Sequence, residues 1–166
     1  MLDVGGGSTE FIAGEVGEIS YGVSLNVGSV RLTERLLESR PPSTVQIRKA
    51  EKELMAMLGV IPGGSFAGLP LIESGGTARV LASMIGANEP APAIAHHVVR
   101  EWRDRLFAIS PDEVRALNPS ILTGREDIAA TALLILDVAM QHFGFEAFIA
   151  GQGGLRHGLA LENAES

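Results

Sequence analysis

The chain has 166 residues, 46% of them hydrophobic and 20% charged, which is the composition of one soluble globular domain with a substantial core. A formal net charge of −7 with dispersed arginines argues against general DNA or RNA binding, and the absence of cysteine excludes disulfides and thiolate metal sites. The longest apolar run, IAATALLIL (128–136), is far short of the roughly 20 residues a membrane span needs, no secretory leader is expected, and a cytoplasmic location fits.

LDV (2–4) reads as the end of a buried strand running into a glycine turn. Residues 10–15 and 18–25 follow as two short strands, with a hairpin connection around Val16-Gly17. Residues 28–39 have helical spacing of Val30, Leu32, Leu36 and Leu37, and the Pro41-Pro42 pair ends that helix. Ser43 with Gln46 forms a capping box for a second helix reaching about Leu58. Residues 59–70 are rich in Gly and Pro and read as a loop. LIES (71–74) is the next strand, GGT the turn, and 77–86 a helix.

After a loop at 87–93, residues 95–109 are amphipathic, with Val98, Val99, Trp102, Leu106 and Phe107 near one stripe. SPDE (110–113) is a capping box with proline at the first helical position. Thr123 and Glu126 read as another box, ahead of a helix that is apolar almost all round and so belongs in the core. Gly144 ends it, 146–150 is a strand, and 154–163 a closing helix. Strands first and strand–helix alternation afterwards argue an α/β fold with a mixed sheet.

Three glycine turns each follow a predicted strand: DVGGGSTE (3–10), ESGGT (73–77) and AGQGGLRHG (150–158). Without a Cβ the backbone can approach a ligand closely, and successive amides form an anion-binding concavity. In the first turn the amides from Gly5 through Gly6 and Gly7 to Thr9 can wrap a phosphate, with the hydroxyls of Ser8 and Thr9 as added donors. Asp3 stands at the strand's carboxyl end, where its oxygen can hold Mg²⁺ directly or through water, and Glu10 is a second carboxylate in reach. The competing reading is a structural hairpin with a solvated Glu10. In the second turn the free amides of a helix starting at about Thr77, after Gly75 and Gly76, can take an anion.

Other residues have ordinary explanations beside functional ones. His96 and His97 point about 100° apart on a helix and cannot readily share an ion, so a surface or helix-flank role is expected. Arg31 and Arg35 lie on one helix face near Glu34 and Glu38, as surface ion pairs or as a substrate contact. Arg125 and Asp127 fit a structural role, Arg156 beside His157 either a phosphate contact or a solvated position, and a buried Asp137 needs a partner.

In order along the chain, DVGGGSTEF, SLNVGSVRLTERLL with PPS, ESGGTARVLASM, ISPDEV, REDIAATALLIL and GLRHGLALE resemble the exopolyphosphatase / guanosine pentaphosphate phosphatase family over essentially the whole length. That resemblance implies a ribonuclease-H-like domain of the actin-like ATPase superfamily, and specifically the second, C-terminal one, with the first domain missing. It implies Mg²⁺-dependent hydrolysis of inorganic polyphosphate or of guanosine pentaphosphate. By the same resemblance Asp3 and Glu10 are the metal-linked and catalytic carboxylates, and Gly5, Gly6, Gly7, Ser8 and Thr9 bind phosphate.

The first domain's own phosphate turn and its general-base glutamate do not occur in the chain, so the isolated chain is expected to be inactive. The second turn reads ESGGTAR where the family more usually has GVGGTAT. A noncatalytic phosphate- or nucleotide-binding module is the rival expectation; a kinase half of the same superfamily lacks an adenosine-pocket signature beyond ESGGT. Self-association through the cleft face, as a homodimer, is a further expectation.

Overall fold

The structure is a computed structural model that describes residues 1–15 and 18–151. It begins with β1 (Leu2–Val4), β2 (Thr9–Glu15) and β3 (Glu18–Leu25). Helices α1 (Ser29–Leu36) and α2 (Thr44–Leu58) follow, then β4 (Leu71–Glu73) and α3 (Gly76–Met84). The remainder is β5 (Ala93–Ala95), α4 (His96–Phe107), α5 (Pro111–Leu117), α6 (Pro119–Leu122), α7 (Ala129–Phe143) and β6 (Ala147–Ala150).

The strands form one mixed sheet in the order β3-β2-β1-β4-β6-β5. β1, β2 and β3 are an antiparallel meander, β4 runs parallel to β1 and to β6, and β5 closes the edge antiparallel to β6. This is the expected mixed sheet flanked by helices. Alternation sets its two faces: Leu2, Val4, Thr9, Phe11 and Ala13 are buried, while Asp3 and Glu10 pair across β1 and β2 on the other side.

Helix α7 occupies the middle of the core, as its all-round apolarity requires. Every residue from Ala129 to Met140 is buried, and the helix packs on α1, α2, α3, α4 and β1. Each large apolar side chain so buried contributes about 1.5–3 kcal/mol. Polar ties are few and paired. The Thr33 and Thr131 hydroxyls bond at 2.6 Å between α1 and α7. Buried Asp137 on α7 meets His96 Nε2 at 2.6 Å and Arg103 from α4, so its expected partners exist. Two capping boxes form as read from the sequence, Ser43 with Gln46 and Ser110 with Glu113.

Several expectations are corrected. Thr123 and Glu126 do not cap α7: the Thr123 hydroxyl donates back to the Pro119 carbonyl, Gly124 turns the chain at φ 77°, and the helix starts at Ala129. The stretch read as loop and helix start contains β5, because Ala93–Ala95 finds ladder partners on β6. Residues 119–122 add α6. The 59–70 loop is anchored by Phe66, whose ring lies 4.9 Å from that of Phe143 and 5.8 Å from that of Tyr21. The Val16-Gly17 connection, most of the third glycine turn with Arg156 and His157, and the closing helix at 154–163 lie outside the described residues. No helix among the described residues is long and apolar enough to cross a membrane.

Candidate phosphate site

The DVGGGSTE turn connects two antiparallel strands, and its peptide planes are set by helix α1. The Gly5 carbonyl accepts from the Ser29 amide at 2.9 Å, and the Gly6 carbonyl accepts from the Val30 and Arg31 amides at 3.0 and 3.1 Å. The turn therefore satisfies the orphan amides of the α1 terminus. In a trans peptide the N–H points opposite to the C=O. The amides of Gly6 and Gly7 consequently face away from α1, outward. Neither they nor the Ser8 amide donates to any partner among the described residues, whereas the Gly5 amide is used on the Ser8 carbonyl at 3.0 Å. This close seating depends on Gly28, where an added Cβ would lie 2.5 Å from the Gly6 carbonyl group.

Asp3 and Glu10 stand directly opposite each other in the β1–β2 ladder, on the face away from the helices. Burial, and next the charge of Glu10, raise the Asp3 carboxyl above its ordinary range, while Arg79 offsets part of this. Glu10 accepts from the Ser24 hydroxyl at 2.7 Å, which fixes one of its oxygens. Among the described residues no cluster of three or more His, Cys, Asp or Glu is arranged to hold a metal ion. Mg²⁺ does not need one, since it takes one or two carboxylates and completes its shell with water and substrate phosphates. Two hard oxygen donors side by side, with a raised carboxyl that a cation would relieve, fit that requirement.

Not every expected contact is available. The Thr9 side chain is fully buried and its hydroxyl donates to the Val27 carbonyl at 2.6 Å, so it cannot also serve a phosphate. Arg31 is exposed, makes no ion pair among the described residues, and brings its guanidinium to 4.0 Å from where a Gly7 Cβ would be. Arg35, its neighbour one turn on, is paired with Glu53. His96 is the partner of Asp137 and His97 is exposed, so the adjacent histidines form no metal pair.

The second turn lies beside the first, because β1 and β4 are neighbours in the sheet. Its Gly75 is where the two meet. A Cβ there would fall 2.5 Å from Asp3 Oδ1 and 2.7 Å from Glu73 Oε1. Glu73 is completely buried, and its Oε2 accepts from the Ala78 amide in the first turn of α3 at 2.6 Å. Burial pushes its carboxyl up to about 7, against the opposing pull of the Ala78 amide. Arg125 lies over the same helix end, its Nη1 3.1 Å from the position of a Gly76 Cβ. Thr77 is buried. A phosphate at Gly75, Gly76 and Thr77 would therefore have to displace Glu73. The sequence reading missed Glu73, Arg79 and Arg125 as site residues. The one signal for Glu73 was its place at a strand end where the family pattern is uncharged.

The model of the Ppx/GppA phosphatase family matches residues 1–166. Exopolyphosphatase 2 of Mycobacterium tuberculosis is 27% identical over 99% of the chain and 55% of its own length. The bifunctional 3-dehydroquinate synthase/phosphatase of Fusobacterium nucleatum is 27% identical over the whole chain and 26% of its own length. Among solved structures, the Aquifex aeolicus Ppx/GppA family member superposes with a TM-score of 0.84 at 22% identity, over 98% of this chain and 55% of that one. An exopolyphosphatase-like protein reaches 0.86 at 23% identity, over 99% of this chain and 58% of that one. The chain thus spans about half the length of the exopolyphosphatase relatives it matches. With a family model matched from end to end and the same fold in its solved members, the chain belongs to the Ppx/GppA phosphatase family.

Proposed function

We propose that the chain is the phosphate-binding half of a Mg²⁺-dependent phosphoanhydride hydrolase acting on inorganic polyphosphate or guanosine pentaphosphate. The observation that carries this reading is the DVGGGSTE turn, whose Gly6 and Gly7 amides face outward and, like the Ser8 amide, have no partner among the described residues, beside the Asp3–Glu10 pair. Such a row of amides holds a terminal phosphate by its oxygens, and Arg31 beside Gly7 adds a full positive charge. Asp3 and Glu10 would hold the cation, which when bound neutralises charge on the transferred phosphoryl group. Glu10, steadied by Ser24, also keeps an oxygen able to orient a water toward that phosphate. The names of the relatives, an exopolyphosphatase and a bifunctional synthase/phosphatase, support phosphatase chemistry.

In this reading the chain is the second, ribonuclease-H-like domain, and a first domain supplies the general base and the opposite wall of the cleft. The chain by itself then hydrolyses little or nothing. In the two-domain protein, Asp3→Ala and Glu10→Ala abolish phosphate release from polyphosphate; wild-type turnover in both variants refutes the proposal. A noncatalytic phosphate-binding module is favoured instead if calorimetry shows tight binding of polyphosphate, pentaphosphate or ATP while the two-domain protein releases no phosphate from any of them.

A further inference from the structure

The N-terminus of α3 has the form of an anion site, and a carboxyl group of the protein is already in it. Ala78 gives its amide to Glu73 Oε2 at 2.6 Å. The helix has nine residues, so its amide terminus carries the usual partial positive charge. Arg125, which makes no ion pair among the described residues, adds its guanidinium beside Gly76. These are the donors that bind phosphate at helix starts in other proteins.

We propose that the Glu73 side chain is a built-in plug: it occupies the anion site at the α3 terminus and denies it to substrate phosphate, leaving the DVGGGSTE turn as the open one of these two neighbouring turns. Two observations beyond the helix end support it. Glu73 is wholly buried, so in this structure it fills the helix terminus and presents no atom to solvent. Its Oε1 has no hydrogen-bond partner and points into the turn toward Asp3 across Gly75, and the buried Ser74 hydroxyl is likewise unpartnered. The Ser74 hydroxyl is a buried donor that Glu73 leaves unused, as expected of a pocket suited to a group with more oxygens than a carboxylate. Blocking does not depend on the charge of Glu73, because either protonation state keeps an oxygen on the Ala78 amide.

The consequence is a restriction on how a phosphate chain lies in the cleft. With two open turns side by side, successive phosphates could bridge them; with one plugged, this pair of turns grips one phosphate and the next lies beyond the α3 terminus. The inference rests on the reading that the ligand is a phosphate chain, but its test is separable from that reading.

Inorganic phosphate and tripolyphosphate are titrated into the full chain and into Glu73→Ala while backbone amide resonances are followed. In the wild type the Gly6 and Gly7 amides shift and the Ala78 amide does not. In Glu73→Ala the Ala78 and Gly76 amides shift as well, and phosphate affinity at the α3 terminus rises roughly tenfold or more over the wild type. Glu73→Gln, which keeps an oxygen on the Ala78 amide, behaves as the wild type. A silent α3 terminus in folded Glu73→Ala overturns the proposal, as does an Ala78 amide that already shifts with phosphate in the wild type. The latter measurement decides the matter even if the alanine variant fails to fold. Silence of Gly6 and Gly7 throughout would count against the first cradle and not against the plug.

Discussion

The two glycine turns at the carboxyl ends of β1 and β4 look alike in the sequence and are opposite in the structure. In the first, the carbonyls are spent on α1 and the amides of Gly6 and Gly7 are left facing outward. In the second, the Ala78 amide is spent on the protein's own Glu73. A glycine turn therefore advertises the possibility of an anion site; whether the site is open depends on where neighbouring side chains and helix termini place their hydrogen bonds.

That contrast can be broken most forcefully through pH. The Glu73 carboxyl holds its proton up to about 7 in the fold, whereas in the unfolded chain it ionises in the usual carboxylate range. Between roughly pH 4.5 and 7 the folded state binds more protons, so stability contributed at this position falls as pH rises, by about 3 kcal/mol in all. Urea midpoints measured across this range should decline less steeply for Glu73→Gln than for the wild type. Parallel curves would mean that the second turn stabilises an ordinary ionised glutamate.

Gly28→Ala attacks the first turn alone. Its Cβ would stand 2.5 Å from the Gly6 carbonyl, so α1 and the turn must separate, at about 2–3 kcal/mol of stability and with loss of phosphate-induced shifts at Gly6 and Gly7. Gly75→Ala strikes the boundary between the turns. It should cost about 1–2 kcal/mol, less because the clashing atoms are carboxylate oxygens and not backbone, and it should lower divalent-cation affinity measured by calorimetry by moving Asp3. The smallest effect belongs to Arg31→Ala, an exposed position: tripolyphosphate binding weakens by about five- to tenfold with an unchanged melting temperature. An equal loss in chains lacking the Gly6 and Gly7 response would place Arg31 elsewhere than in the first cradle.

Much of this was legible in the residues. The alternation through β2, the capping boxes at Ser43 and Ser110, and the all-round apolar α7 carry their structure locally, and the glycine block with Asp3 and Glu10 marks the candidate site. What escaped was decided by contacts distant in sequence. Ala93–Ala95 becomes a strand because β6 offers a free edge, against the weak preference of its alanines. Thr123 carries a capping signature but finds the Pro119 carbonyl first. Thr9 reads as a phosphate donor until Val27 is brought within 2.6 Å of its hydroxyl. Glu73 reads as any strand-end glutamate, and its burial against Asp3 exists only once β4 lies beside β1.

The seating of the first turn on α1 has an electrical consequence. The Ser29, Val30 and Arg31 amides donate to the carbonyls of Gly5 and Gly6, and each such bond draws electron density along the peptide group it meets. The N–H groups on the far side of those same peptides, on Gly6 and Gly7, become more positive in turn. An anion in that cradle would thus feel the field of the α1 backbone at one remove, conducted through two peptide planes, in addition to any charge the Arg31 side chain brings directly.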